Sequence, residues 1–191
     1  MRVCIYGASS TKTDKRYIDA VERLGELLAR RGHSLVYGGG GSGLMGAAAR
    51  GFTKGDGHII GVVPHFFDVD GILYDKCDEM VRTDTMRQRK QRMEDEADVF
   101  IITPGGVGTF DEFFEILTLK QLGRHCKAIV IYNICGYYDK LQEFMNVAFE
   151  ENFITDVTLS LYEVTDNEKD IIDYIENYEG KELSIKDTKH V

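Results

Sequence analysis

Two glycine runs and one cationic helix are where this chain could do chemistry. In Pro104-Gly105-Gly106-Val107-Gly108-Thr109 the glycines lie between an apolar run, Val99 to Thr103, and a helix-period segment, Phe110 to Leu122. Glycine permits close backbone approach, and a helix beginning at Thr109 offers free N–H groups at its positive end. Phosphate is the natural guest of such a loop. A tight strand-to-helix turn needing glycine for positive φ explains an isolated loop of this kind equally well.

Thr109-Phe110-Asp111-Glu112 also reads two ways. It fits the capping box, in which the threonine caps the helix and the glutamate bonds back, and most T-x-x-E sequences are no more than that. Here Glu112 would stand one turn behind a phosphate-ready loop. A carboxylate near a helix N-terminus is favoured in its charged form, suited to stabilise developing positive charge or to orient a water.

The helix from Met86 to about Ala97 carries Arg87, Arg89, Lys90 and Arg92 in its first half, and Glu94, Asp95, Glu96 and Asp98 at its end. That order opposes the helix macrodipole, and broken stability rules cluster at functional sites. At helical period Met86, Met93 and Ala97 form the apolar stripe. Arg89 and Lys90 flank its centre and want an anion, whereas Arg87 and Arg92 point away as a solvated face.

Other signals are weaker. Gly41-Ser42-Gly43-Leu44-Met45-Gly46 matches G-x-G-x-x-G, but it follows the second strand, and the next strand ends in Pro64-His65 rather than a ribose-binding acid, with Asp68 nearby. The chain contains no G-x-x-x-x-G-K-[ST] and no G-x-S-x-G. Ser9 and Ser10 could touch a phosphate or cap the following helix. The five histidines, at 33, 58, 65, 125 and 190, show no partner spacing.

The elements that must position these residues alternate between short β-branched runs and helical periods, the pattern of a mostly parallel sheet. Strands are expected at Arg2 to Tyr6, Ser34 to Tyr37, His58 to Val63, Glu79 to Arg82, Val99 to Thr103, Lys127 to Tyr132 and Leu161 to Thr165. Helices are expected at Asp14 to Arg31, from Leu44, at Met86 to Ala97, Phe110 to Leu122, Tyr138 to Glu151 and Glu168 to Tyr178. The fold class is therefore α/β, Rossmann-like and doubly wound, with helices on both faces and ligands at the carboxyl ends of the strands. Residues 1–180 read as one domain and 181–191 as a polar tail. The helix Phe110 to Leu122 is too apolar for one buried stripe, so a second subunit is expected to cover part of it.

Composition limits the partners. In 191 residues there are 23 Lys plus Arg against 32 Asp plus Glu, a formal charge of -9 that disfavours nucleic-acid and anionic-membrane partners. Cys4, Cys77, Cys126 and Cys135 lie far apart and do not suit zinc, so no metal is expected. The chain opens on a strand-like run rather than a leader and holds no run of 18 apolar residues, so a cytoplasmic protein with reduced thiols is expected.

Gly38-Gly39-Gly40 with Gly43-Leu44-Met45-Gly46, then Met86-Arg87-Gln88-Arg89-Lys90, then Pro104 through Glu112 together resemble the LONELY GUY family. These are cytokinin riboside 5'-monophosphate phosphoribohydrolases, often mislabelled as lysine decarboxylases. The resemblance spans roughly the first 150 residues. It implies a Rossmann-like dimer without a cofactor that hydrolyses the N-glycosidic bond of an adenosine-type 5'-monophosphate to free base and ribose 5-phosphate. Carried over, Arg89 and Glu112 are the catalytic residues. Substrate contacts are expected from Lys90, Gly105, Gly106, Val107, Gly108, Thr109, Asp111 and Thr118, and from Gly39 and Gly40. Two positions depart from the family: Arg87 stands where many relatives have histidine, and Gly71, beside Asp70, where they have an acid that contacts substrate.

The competing reading is a non-catalytic carrier or sensor of a phosphorylated ligand, since related folds bind nucleotides or molybdenum cofactor without hydrolysing them. Lysine decarboxylation ranks third, because nothing in the sequence marks a pyridoxal phosphate site.

Overall fold

Alternate residues of each central strand belong to two different apolar layers, which explains why these strands read as continuous apolar runs. In the computed structural model, which describes residues 1–67, 71–180 and 183, Val3, Ile5, Leu35, Val99 and Ile101 face one layer. Cys4, Tyr6, Val36, Phe100 and Ile102 face the other. Asp68, Asp70 and the expected tail, apart from Leu183, lie outside the described residues.

The chain runs β1 (Arg2–Tyr6), α1 (Lys15–Arg30), β2 (Ser34–Tyr37), α2 (Gly43–Lys54), β3 (Ile59–Pro64), β4 (Glu79–Thr83) and α3 (Met86–Glu96). It continues through β5 (Val99–Ile102), α4 (Val107–Gln121), β6 (Ala128–Tyr132), α5 (Asp139–Glu150), α6 (Asp156–Leu159), β7 (Glu163–Thr165) and α7 (Glu168–Glu176). The strands form one sheet in the order β4-β3-β2-β1-β5-β6-β7, every pairing parallel. Helices α1, α2 and α7 cover the first layer. Helices α3, α4 and α5 cover the second, sending in Met93, Phe113, Ile116, Leu117 and Met145. After β4 the chain returns to pair β5 with β1, so the winding reverses there, and a crevice opens between the ends of these two strands.

The structure corrects three expectations. Helix α4 begins at Val107 with Gly106 as its cap residue, so Thr109 lies inside the helix rather than at its start. The glycines have low helix propensity, yet the helix extends through Gly108 because Phe113, Ile116 and Leu117 anchor it on the core. With Thr109 inside the helix, the capping box with Glu112 does not form. A capping box does form on α3, between Thr85 and Gln88. The sequence reading also omitted α6, which at four residues is too short for periodicity to mark.

Candidate functional site

A cleft of about 660 Å³ occupies the switch point. Its walls are residues 7–11 after β1, Gly38, Gly40, Ser42 and Met45 around the first glycine run, Val63 and Pro64 at the end of β3, and Phe67 beyond it. Gly71, Ile72 and Leu73 close one side, Met86 and Arg89 come from α3, and Gly106, Gly108, Thr109 and Glu112 from α4.

Arg89 is only 8% exposed. Its Nε donates to the Val62 carbonyl at 3.2 Å and its Nη1 to Glu112 Oε1 at 2.9 Å. Nη2 lies against Gly38 where any side chain would collide with it, so that glycine makes room for the guanidinium. Burial raises the Glu112 carboxyl above its ordinary 4.5, while the charge and hydrogen bond of Arg89 pull it back down. A buried carboxylate paired this way is preorganised to face a developing positive charge, since neither partner needs to reorient when the charge appears.

The helices around the cleft differ at their N-termini. Asp14 caps α1, accepting from Arg16 N–H at 2.9 Å. At the start of α2 the N–H groups of Leu44 and Met45 are spent on the Ala8 carbonyl, at 2.7 and 3.2 Å. On α3 Thr85 accepts from Gln88 N–H. Gly106 has no side chain with which to cap α4, and Gly106, Gly108 and Thr109 at that end line the cleft, an arrangement suited to an anion.

Six of the expected site residues therefore meet in the cleft: Gly40, Arg89, Gly106, Gly108, Thr109 and Glu112. The others sit elsewhere. Gly39, at φ 75°, packs against Val63, Gly105 lies against the Thr109 side chain, and Val107 is 83% exposed. Lys90 reaches Asp111 and Glu115 of α4, both at 2.9 Å, and Thr118 lies on the exposed face of α4. Lys90 thus has its anions within the protein. Arg87 and Arg92 face away from the cleft, as expected, onto a separate open concavity of about 580 Å³.

With Asp14 as the α1 cap, Ser9 and Ser10 are left to line the cleft. Sequence reasoning missed Ser42, Met45, Val63, Phe67, Ile72, Leu73 and Met86. Residues 71–74 reach the site because Gly41 N–H donates to the Ile72 carbonyl at 2.8 Å and Tyr74 N–H to the Gly39 carbonyl at 2.9 Å. The irregular run of aromatics and the Gly71 position, where the family has a substrate-contacting acid, both hinted at this strap. Among the described residues no group of three or more His, Cys, Asp or Glu side chains could hold a metal, and no helix is long and apolar enough to cross a membrane.

Fold and cleft together define a Rossmann-like α/β protein with an anion-receptive crevice and a buried arginine–carboxylate pair at its switch point. Comparison with solved structures agrees on the fold. The molybdenum cofactor carrier protein of Chlamydomonas reinhardtii superposes with a TM-score of 0.72 at 20% identity, over 92% of this chain and 95% of that one. In sequence, a family model described as "Possible lysine decarboxylase" matches residues 45–175. The chain is 35% identical to the cytokinin riboside 5'-monophosphate phosphoribohydrolase LOG2 of Arabidopsis thaliana, over 94% of its own length and 84% of that protein's. It is 37% identical to the probable enzyme LOGL5 of Oryza sativa, over 93% and 72%. The chain belongs to the LONELY GUY family. Despite the description of the family model, the cleft lining holds no lysine among the described residues that could form a Schiff base.

Proposed function

We propose that this protein is a phosphoribohydrolase that cleaves the N-glycosidic bond of AMP or an N6-modified AMP, releasing free base and ribose 5-phosphate. The observation that carries the reading is the buried Arg89–Glu112 pair in the same cleft as the uncapped end of α4. The relatives' names support the hydrolytic activity.

In this reading the 5'-phosphate docks on Gly106, Gly108 and Thr109. Met45, Val63, Phe67, Ile72, Leu73 and Met86 form an apolar end suited to a purine with an apolar N6 substituent. As the C1'–N bond breaks, Glu112 stabilises the oxocarbenium-like ribosyl cation and guides the attacking water, and Arg89 keeps Glu112 ionised and aimed. One water is consumed: its oxygen bonds C1', one proton stays on the new hydroxyl and the other leaves with the base.

Residues 1–180 act as one nucleotide-binding domain. The protein works as a homodimer through α4, which leaves Val107 and Phe114 exposed. Four free cysteines support a cytoplasmic setting.

The test is to incubate the protein with AMP, isopentenyl-AMP and the matching nucleosides, and to quantify free base and ribose 5-phosphate beside a Glu112→Ala control. Base release from the monophosphates, reduced roughly 100-fold or more in the control, is expected. A control that binds AMP as the native protein does, with no turnover in either, would make the protein a carrier instead.

A further inference from the structure

The loop that leads into α4 is held at three consecutive carbonyls. Tyr138 Oη donates to the Thr103 oxygen at 2.8 Å, Ala8 N–H to the Pro104 oxygen at 3.1 Å, and Tyr137 Oη to the Gly105 oxygen at 2.6 Å. In a trans peptide the C=O and the following N–H point in opposite directions, and no cis peptide is present among the described residues. Binding the Gly105 oxygen to Tyr137 therefore aims the Gly106 N–H the other way, toward the cleft that Gly106 lines. The same bond turns an electronegative oxygen away from the place an anion would occupy.

Both tyrosines come from one turn after β6, and its geometry delivers them. Asn133 Oδ1 accepts from Tyr138 N–H at 2.7 Å, and Asn133 Nδ2 donates to Asp139 Oδ1 at 2.7 Å. Cys135 and Gly136 follow one another at φ 54° and 71°, which reverses the chain before α5 begins. A non-glycine residue in the left-handed region persists where its surroundings hold it there, and such positions gather around functional sites. Tyr138 is fully buried and belongs to the core. Tyr137 differs, being 42% exposed, with its ring touching the edges of Tyr17 and Tyr138. An aromatic ring left so open adds little to the core, so its hydroxyl is the functional end.

We propose that Tyr137 is a positioning residue for phosphate recognition, its hydroxyl fixing the Gly105–Gly106 peptide in the orientation that donates to an anion. The inference rests on the reading that the substrate's 5'-phosphate sits at the start of α4. It gives Tyr137 no contact with the substrate.

The experiment compares the native protein with Tyr137→Phe, which removes a single oxygen from a half-exposed ring. Base release from AMP is followed with inorganic phosphate and adenosine as competing ligands, together with the melting temperature. Tyr137→Phe is expected to raise KM for AMP and the inhibition constant of phosphate about tenfold, the upper end of the scale of one lost neutral hydrogen bond. The kcat should stay within about twofold, and adenosine should inhibit both proteins equally. A defect spread through the fold would weaken adenosine as much as AMP, and that outcome overturns the proposal. An unchanged KM beside a native protein that does favour AMP over adenosine also overturns it, while leaving the phosphate site intact. A native protein that hydrolyses adenosine as well as AMP and ignores phosphate removes the phosphate site, and this inference falls with it.

Discussion

The two glycine runs are alike in composition and opposite in use. Around the run after β2 the space beside four glycines is filled by protein: the Arg89 guanidinium at Gly38, Val63 at Gly39, Met45 at Gly40, and the backbone of residues 8–10 at Gly43. In the run after β5, Gly106 and Gly108 have no atom within 4 Å of where a Cβ would sit. One run is empty of side chains so that the protein can pack against itself. The other leaves open space at Gly106 and Gly108, while Gly105 packs against the Thr109 side chain. The first run, which matches a dinucleotide fingerprint on paper, thus serves to seat the arginine and the β1–α1 loop.

The largest expected effect comes from Gly38→Ala. The new methyl would occupy the place of Arg89 Nη2, turning the guanidinium away from Glu112, and turnover should fall roughly 100-fold or more with the protein still folded. Kinetics showing near-native turnover would remove the distinction between the runs at this position.

Gly108→Ala probes the other run. The position is helical and open, so alanine should raise stability by about 0.5–1 kcal/mol, visible as a higher melting temperature, while the methyl obstructs the anion and raises KM about tenfold. A lower melting temperature would mean that this glycine also serves packing.

Gly43→Ala should show the reverse pattern. At φ 59°, with the Ala8 carbonyl and Ser9 against it, the substitution should cost about 1–3 kcal/mol in denaturant unfolding. The loss of activity should follow the loss of folded protein.

The pH profile sharpens the role of the arginine that the first run seats. Because burial raises the Glu112 carboxyl, the acid limb of kcat/KM should lie above 4.5, with activity rising as the carboxylate forms. The stability term has the opposite sign: a raised carboxyl favours the folded form at low pH, and that contribution disappears as pH rises through the folded value. An acid limb at or below 4.5 would mean that Arg89 outweighs burial.

The smallest effect is expected from Lys90→Met. Its partners Asp111 and Glu115 are 59% and 41% exposed, so stability should change by about 1 kcal/mol or less, and turnover should fall far less than in Arg89→Ala. Equal losses in the two variants would put Lys90 at the substrate after all.

Much of this was legible in the residues because it depends on local periodicity. Among the described residues, the alternation of apolar runs and helical periods placed the seven strands of the sheet and every α-helix except α6, since burial on both faces of a sheet leaves an apolar run and burial of one helix face leaves a period. The reversed charges of α3 pointed to Arg89 and Lys90 together, and the glycine loop with the carboxylate behind it pointed to Glu112. The same reasoning could not separate two residues that look alike in sequence and differ in surroundings. Arg89 and Lys90 are neighbours at the centre of one helix, yet only Arg89 reaches the cleft, because Gly38 opens a space beside it and α4 presents Asp111 and Glu115 to the lysine. The T-x-x-E motif carried no sign that the helix would start two residues earlier.

The sequence by itself determined the elements, their alternation and the two residues that face each other across the crevice. Tertiary structure alone decided which glycines stay open, how residues 71–73 come to line the cleft, and that a turn far along the chain binds the loop before α4. The reason is range. Periodicity and capping act over one or two turns of chain, whereas the filling of a space depends on atoms that folding brings together from tens of residues away, as with Gly38 and Arg89.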